Sequence, residues 1–260
     1  MEYYHVILYP IMFPQKLSSH FLSLIIPVYK QEKTIVKDVQ QIKNVLDSIR
    51  YDHEIIVVFD GVADQSYKKV KQANIPKVKT ISYLKNQGKS HAIQLGMKKA
   101  VGDYVMFIDS GMEIDPNSIS MLLEHMEWYN ADIIVGSKRH PASQVNYVAS
   151  RKLLSEGYYF VVKFLFGIKV RDTQAGIKIF KKNVLEKVLP KLVGKKFAGD
   201  LEMLVVADTL GFKRIYEAPI KLDYALGDLT SAATLNAIWD ILLDTLAIWY
   251  RKNILRYYQV

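Results

Sequence analysis

Four short apolar runs, each stopping at a polar turn, constrain this chain more than any other feature. Leu22-Ser-Leu-Ile-Ile-Pro-Val-Tyr29 is rich in branched residues and gives way to the polar stretch Lys30 to Lys33. After Thr34, a candidate N-cap, Ile35, Val39, Ile42, Leu46 and Ile49 recur at spacings of three and four, which predicts an amphipathic helix. Glu54-Ile-Ile-Val-Val-Phe59 predicts a second strand that stops at Asp60-Gly61, and Val78 to Leu84 a third. Asp103-Tyr-Val-Met-Phe-Ile108 predicts a fourth, which stops at Asp109-Ser-Gly111 after a helix over 91–100. Short strands alternating with helices specify an α/β fold, a Rossmann-like, mostly parallel sheet with helices on both faces. Such sheets bind ligands beyond the carboxyl ends of their strands. Asp60 and Asp109 both stand there.

The second half continues the pattern with a helix from Pro116 to about Trp128, a strand at 132–136 and a long helix near 147–166. A strand at 176–180, helices near 183–190 and 199–210, and a strand at 214–222 follow. At 260 residues the chain suits one such domain with a short appendage. It has no cysteine, which excludes disulfides, thiolate zinc sites and cysteine nucleophiles. None of its six histidines falls at a metal-ligand spacing. The net charge of +9 favours phosphates or an anionic membrane face. Nucleic acid is not expected as a partner, because the positive charge is not interleaved with aromatics. Met1 to Phe13 lacks the basic start of a signal peptide, and no window long enough to span a bilayer is free of charges.

Asp109, Glu113 and Asp115 cluster on the turn after a strand, an arrangement that can hold Mg²⁺ or Mn²⁺ against a diphosphate. Asp115-Pro116 also reads as the cap of the next helix, and that is the role expected of Asp115. Asp60 is expected to accept hydrogen bonds from the base or ribose of a nucleotide. Asn86-Gln-Gly-Lys-Ser90 ends like a P-loop but has Tyr83 where that motif needs glycine. It remains either a helix start whose free N–H groups and Lys89 face a diphosphate, or a solvated helix start.

Taken in order, Ile26-Pro-Val-Tyr29, Val58-Phe-Asp-Gly61, Asn86-Gln-Gly-Lys89, Gly102 to Asp109, Gly136-Ser-Lys-Arg139 and Asp172-Thr-Gln-Ala-Gly-Ile-Lys178 resemble family 2 glycosyltransferases. The resemblance covers about residues 22–224 and is to the branch of dolichyl-phosphate mannose and glucose synthases. It implies a GT-A fold and inverting transfer of a hexose from a GDP- or UDP-sugar to a polyprenyl phosphate, with Mg²⁺ or Mn²⁺. Donor-nucleotide contacts are implied for Pro27, Tyr29, Gln31, Asp60, Lys89, Asp109 and Ser110. Acceptor-phosphate contacts are implied for Lys138, Arg139, Arg151 and Ser155, and catalytic roles for Asp109, Arg151 and Asp200. A lipid monophosphate is already largely ionised at neutral pH, so the acceptor needs positive charge rather than a base. Three departures stand out: Phe59 precedes Asp60 where the family has Asp, Lys30-Gln31 replaces Asn-Glu, and Gly111 replaces the second carboxylate of Asp-x-Asp. Glu113 is therefore expected to share the metal with Asp109.

Residues 1–20 are expected to form an N-terminal extension, 21–224 the GT-A domain, and 225–260 a C-terminal amphipathic segment. In that segment Ile238, Trp239, Leu242, Leu246, Trp249 and Tyr250 recur at helical period, with Arg251, Lys252 and Arg256 after them. This suits a helix lying in a membrane interface, and equally a helix packed on the domain or on a partner subunit. The expected location is the cytoplasm, peripherally bound to a membrane. Oligomeric state is left open. Alternatives to the lipid acceptor are a glycan acceptor and a nucleotide-sugar-binding protein without full activity.

Overall fold

The computed structural model describes residues 18–145, 149–194, 199–222 and 235–259. Its strands are β1 (Phe21–Val28), β2 (Asp52–Phe59), β3 (Val78–Ser82), β4 (Tyr104–Ile108), β5 (Ile133–Ser137), β6 (Ile177–Lys181) and β7 (Ile215–Pro219). Its helices are α1 (Ile35–Ser48), α2 (Ser66–Ala73), α3 (Lys89–Lys99), α4 (Ser118–Trp128), α5 (Ala149–Phe166), α6 (Lys182–Val188), α7 (Gly199–Thr209) and α8 (Leu235–Asn253). The strands form one seven-stranded sheet in the order β3-β2-β1-β4-β6-β5-β7. β6 runs antiparallel to both neighbours, and the other pairs are parallel.

The inner strands β1 and β4 and the second half of β2 read as near-continuous apolar runs because both faces of the sheet are covered there. Leu22, Leu24, Ile26 and Val28 of β1 face a core built with Ile35, Val39, Ile42 and Leu46 of α1 and Leu122 and Met126 of α4. Ile25 of β1 and Val105 and Phe107 of β4 face the opposite core, with Ile93 of α3, Val184 of α6 and Leu204 of α7. The same two-residue alternation sends Ile177 and Ile179 of β6 to the first core and Phe180 to the second. Lys178 therefore points to the second face, where it is fully buried.

The expected α/β architecture is present, with three differences in detail. α2 has no counterpart in the sequence reading, because Val70 is its one buried apolar residue and its other faces carry Lys68, Lys69 and Lys71. The direction of β6 could not be read, since a strand buried on both faces has the same composition either way. The strand expected at 214–222 is confined to Ile215–Pro219. α8 shares the second core through Ile248, and Tyr158 of α5 lies 3.0 Å, hydroxyl to hydroxyl, from Thr245 of α8. The expected domain boundary near residue 224 falls outside the described residues, as does most of the expected N-terminal extension.

Candidate active site

The order of strands reverses at β1, which pairs with β2 on one side and β4 on the other. This is the crevice where open α/β sheets bind ligands. Asp60 leaves β2 into it, its N–H donating to the Val28 carbonyl at 2.8 Å. Its carboxylate is buried and already engaged by the protein. Oδ1 accepts the Tyr83 hydroxyl at 2.8 Å and the Gln87 N–H at 2.7 Å, and Oδ2 accepts the Gly88 N–H at 3.0 Å. Burial, together with the adjacent Asp60 charge, raises the pKa of the Tyr83 phenol. Two N–H groups that one of the two readings turned toward a diphosphate thus go to Asp60, which sets the loop before α3. Gly61 allows this closeness, since at φ +85° a Cβ would come within 2.9 Å of the Asn86 nitrogen.

The loop delivers Lys89, the first residue of α3, to Asp109 at the end of β4. Lys89 Nζ lies 2.7 Å from Asp109 Oδ1 and 2.8 Å from Oδ2, and 3.5 Å from Asp200 Oδ2 on α7. Asp200 Oδ1 in turn lies 3.2 Å from Lys178 Nζ, which also donates to the Ala175 carbonyl at 2.7 Å. Asp109, Lys89, Asp200 and Lys178 form one chain of alternating charge. Burial opposes the charge of Asp200, but Lys178 and Lys89 prevail and its pKa is lowered. Burial likewise opposes the charge of Lys89, and Asp109 and Asp200 overcome it, raising its pKa. At Lys178 burial prevails and the pKa is lowered. Opposite charges this close favour the charged forms of Lys89 and Asp200 against their burial.

On the donor side, Tyr29 is exposed with Lys30 Nζ 5.2 Å from its ring centroid, and Pro27 is buried inside β1 opposite Val58. Ser110 is half-buried on the turn after β4. Gln31 Nε2 lies 3.3 Å from where a Cβ on Gly111 would stand, so two of the family departures are neighbours in space. The Gln31 Oε1 is buried without a hydrogen-bond partner among the described residues. Gly111 has φ +96°, where a side chain would strain the backbone. Glu113 is exposed on the same turn, and Asp115 accepts the Asn117 N–H at 2.9 Å in the turn before α4, whose N-cap is Asn117 rather than the expected Asp115. Among the described residues no three His, Asp or Glu gather into a metal cluster. Mg²⁺ is commonly bound through one or two carboxylates, with phosphate and water completing its shell. Asp109 and Glu113 are oxygen donors of the kind that mode uses, and both stand on the turn that follows β4.

On the acceptor side, Arg139 donates to the Ser155 hydroxyl from Nε at 3.2 Å and from Nη2 at 2.9 Å. It is also paired with Glu156 at 3.1 Å. The Lys138 N–H donates to Asp172 Oδ2 at 3.0 Å, and Lys138 Nζ lies 3.9 Å from the same oxygen. Gln174 donates to the Tyr158 hydroxyl at 3.2 Å, so the 172–174 element ties its loop to α5. Arg151 lies on α5, but its side chain lies outside the described residues.

Two groups were not singled out from the sequence. The signal for Lys178 was present, a charge set between isoleucines in a run otherwise apolar. The other is the cluster around Glu202, a residue of the family-like stretch Phe197-Ala-Gly-Asp-Leu-Glu202 whose partners no local pattern marks. Glu202 Oε1 accepts the Tyr258 hydroxyl at 2.6 Å and Arg251 Nη2 at 3.1 Å, while Oε2 accepts the Val193 and Gly194 N–H groups at 3.1 and 2.7 Å. Its partners come from two stretches of chain, one 8 and 9 residues before it and the other 49 and 56 residues after it.

Comparison with known proteins bears on the family and the fold. A dolichyl-phosphate beta-glucosyltransferase of Drosophila melanogaster is 28% identical over 206 residues, covering 73% of this chain and 63% of that protein. A UDP-N-acetylglucosamine–dolichyl-phosphate N-acetylglucosaminyltransferase of Methanococcus voltae is 28% identical over 226 residues, 80% of this chain and 88% of that one. A dolichol-phosphate mannosyltransferase of Pyrococcus furiosus is 29% identical over 203 residues, 76% and 55% of the two chains. The chain thus spans less than two thirds of the length of the fly protein and of its human counterpart. Among solved structures, glucosyl-3-phosphoglycerate synthase from Mycobacterium tuberculosis, in complex with Mn²⁺, UDP and phosphoglyceric acid, superposes with a TM-score of 0.68. It is 16% identical, over 89% of this chain and 79% of that one, which shows the shared fold. The family model for glycosyl transferase family 2 matches residues 23–189, and the chain belongs to that family.

Proposed function

We propose that this chain transfers a hexose from a UDP- or GDP-sugar to a polyprenyl phosphate, inverting the anomeric centre. The observation that carries the reading is the Lys89 ammonium, held by Asp109 and Asp200 in the crevice at the strand-order reversal. A fixed cation there suits a leaving diphosphate. The relatives act on dolichyl phosphate, which supports a lipid phosphate as acceptor.

In this reading an acceptor phosphate oxygen attacks the anomeric carbon as the bond to the diphosphate breaks, and the bonding electrons leave with the diphosphate. Lys89 stabilises the charge that develops on it. Tyr29, Gln31 and Ser110 line the donor side, and Asp60 acts by fixing the loop that carries Lys89. Lys138, Arg139, Arg151 and Ser155 receive the acceptor phosphate, with no base required. Asp200 orients Lys89. A Mg²⁺ or Mn²⁺ ion held by Asp109 and Glu113 would supply further neutralisation of the diphosphate.

Among the described residues no helix is long and apolar enough to cross a membrane. In this reading the chain reaches the lipid by peripheral contact from the cytoplasmic side. Exposed Phe160 and Phe164 on α5 and Trp239 and Leu243 on α8 support that contact.

The test is to incubate the full chain with Mg²⁺ or Mn²⁺, a panel of UDP- and GDP-sugars and a short polyprenyl phosphate. A lipid-linked sugar detected by mass spectrometry is the expected product. Product only with a glycan acceptor would overturn the lipid assignment, and nucleotide binding without turnover on either acceptor would overturn transfer.

A further inference from the structure

We propose that Lys89 is a stand-in cation: in the unliganded protein it occupies the face of Asp109 that a divalent metal takes, so metal enters only with the donor diphosphate. The inference rests on the donor-site reading above. It starts from geometry. One ammonium lies 2.7 and 2.8 Å from the two oxygens of Asp109, and both side chains are only about one-third exposed, at 37% each. A Mg²⁺ ion approaches a carboxylate oxygen to about 2.0–2.1 Å, so metal and ammonium would share an oxygen with little water between them. Like charges at that separation repel.

The neighbouring positions strengthen the competition. Gly111 offers no carboxylate, and Gln31 beside it is neutral. The turn therefore provides no second buried anion to hold a metal while Lys89 stays in place. Glu113 is exposed and draws on a metal less strongly.

Lys89 also has a second seat. Asp200 Oδ2 lies 3.5 Å from its Nζ, and Asp200 is itself fixed by Lys178, whose ammonium is anchored on the Ala175 carbonyl. The Phe107 ring lies under both ammonium groups, at 5.9 Å from Lys89 and 5.1 Å from Lys178. A diphosphate entering the crevice takes hydrogen bonds from Lys89, which stays within reach of Asp200 while releasing Asp109. The anionic ligand then balances both cations. Nucleotide and metal must strengthen each other's binding by the same factor, since such coupling is reciprocal.

Free Mn²⁺, followed by electron paramagnetic resonance at constant ionic strength, tests this on the wild-type chain, Lys89→Met and Lys89→Arg, each with and without UDP or GDP. Melting temperatures identify any variant that fails to fold. Wild type is expected to bind Mn²⁺ at least tenfold more tightly with nucleotide than without. Lys89→Met is expected to bind Mn²⁺ alone at least tenfold more tightly than wild type, yet bind nucleotide more weakly. Lys89→Arg keeps the cation and should exclude Mn²⁺ as wild type does. Equal Mn²⁺ affinity of wild type with and without nucleotide would overturn the proposal and leave the donor site standing, and this comparison needs no variant. Failure of both UDP and GDP to bind wild type in every arm would overturn the donor-site reading and this proposal with it.

Discussion

Gly176 precedes β6 and has no room for a side chain, because a Cβ there would stand 2.2 Å from Asp109 Oδ2. Its carbonyl accepts the Asp109 N–H at 2.8 Å, so backbone and carboxylate are fixed by the same residue. Gly176→Ala must push the carboxylate off Lys89. We expect a loss of about 1–3 kcal/mol in a denaturant melt, with UDP or GDP affinity falling in parallel by titration. His53 is a second informative residue, buried at the start of β2. Burial, reinforced by Lys77, lowers its pKa below the ordinary 6.5. The unfolded chain therefore takes up the proton first, and stability from this residue is full above pH 6.5 and lost as pH falls through the lower folded value. The melting temperature should drop between pH 7.5 and 5.5, and His53→Gln should flatten that drop. At this scale the sequence was legible where a charge stood alone at a strand end, as at Asp60 and Asp109. It was not legible for what those charges touch: the partners of Asp60 lie 23 to 28 residues away, and Asp200 is 111 residues from Lys89.

Among the elements, α7 joins the candidate site to the chain end. Asp200 and Glu202 share its first turn, Asp200 facing Lys89 and Lys178 and Glu202 facing the C-terminal residues. Arg251 of α8 donates from Nε to the Tyr258 hydroxyl at 2.8 Å, closing a cluster in which Glu202 and Tyr258 are fully buried. Tyr258→Phe removes the donor at 2.6 Å and leaves the fully buried Glu202 with one hydrogen bond fewer. It should cost about 1–3 kcal/mol. Amides of residues 254–259 should exchange hydrogen faster in the variant, and an unchanged exchange pattern would show that the hydroxyl does not hold the segment. The helix α8 was foreseeable from its apolar period, although Thr245 and Ile248 are the residues that pack while Trp239, Leu246 and Tyr250 of the expected stripe are exposed. The latch was not, because a buried Glu looks like any acidic residue of a first helical turn until its partners arrive.

Over the whole molecule, the pairing of α5 and α8 leaves Phe160, Phe164, Trp239, Leu243 and Leu246 exposed while Val162 and Ile248 enter the core. With a net charge of +9, such a surface suits an anionic bilayer, the rings entering the interface and the cations meeting lipid phosphates. The double change Phe164→Glu and Trp239→Glu should reduce co-sedimentation with phosphatidylserine vesicles by about tenfold, given ~1.5–3 kcal/mol for a fully buried aromatic or aliphatic side chain. Raised salt should weaken binding of the wild type. An unaffected partition would remove this face as the point of contact. What the sequence determined by itself was the class of fold and the position of the crevice, because unbroken apolar strands ending in polar turns admit few arrangements other than a sheet covered on both faces. Only the tertiary structure decided the direction of β6, the pairing of Lys89 with Asp109 and the burial of Lys178, because these depend on residues brought together from distant parts of the chain, which local periodicity does not encode.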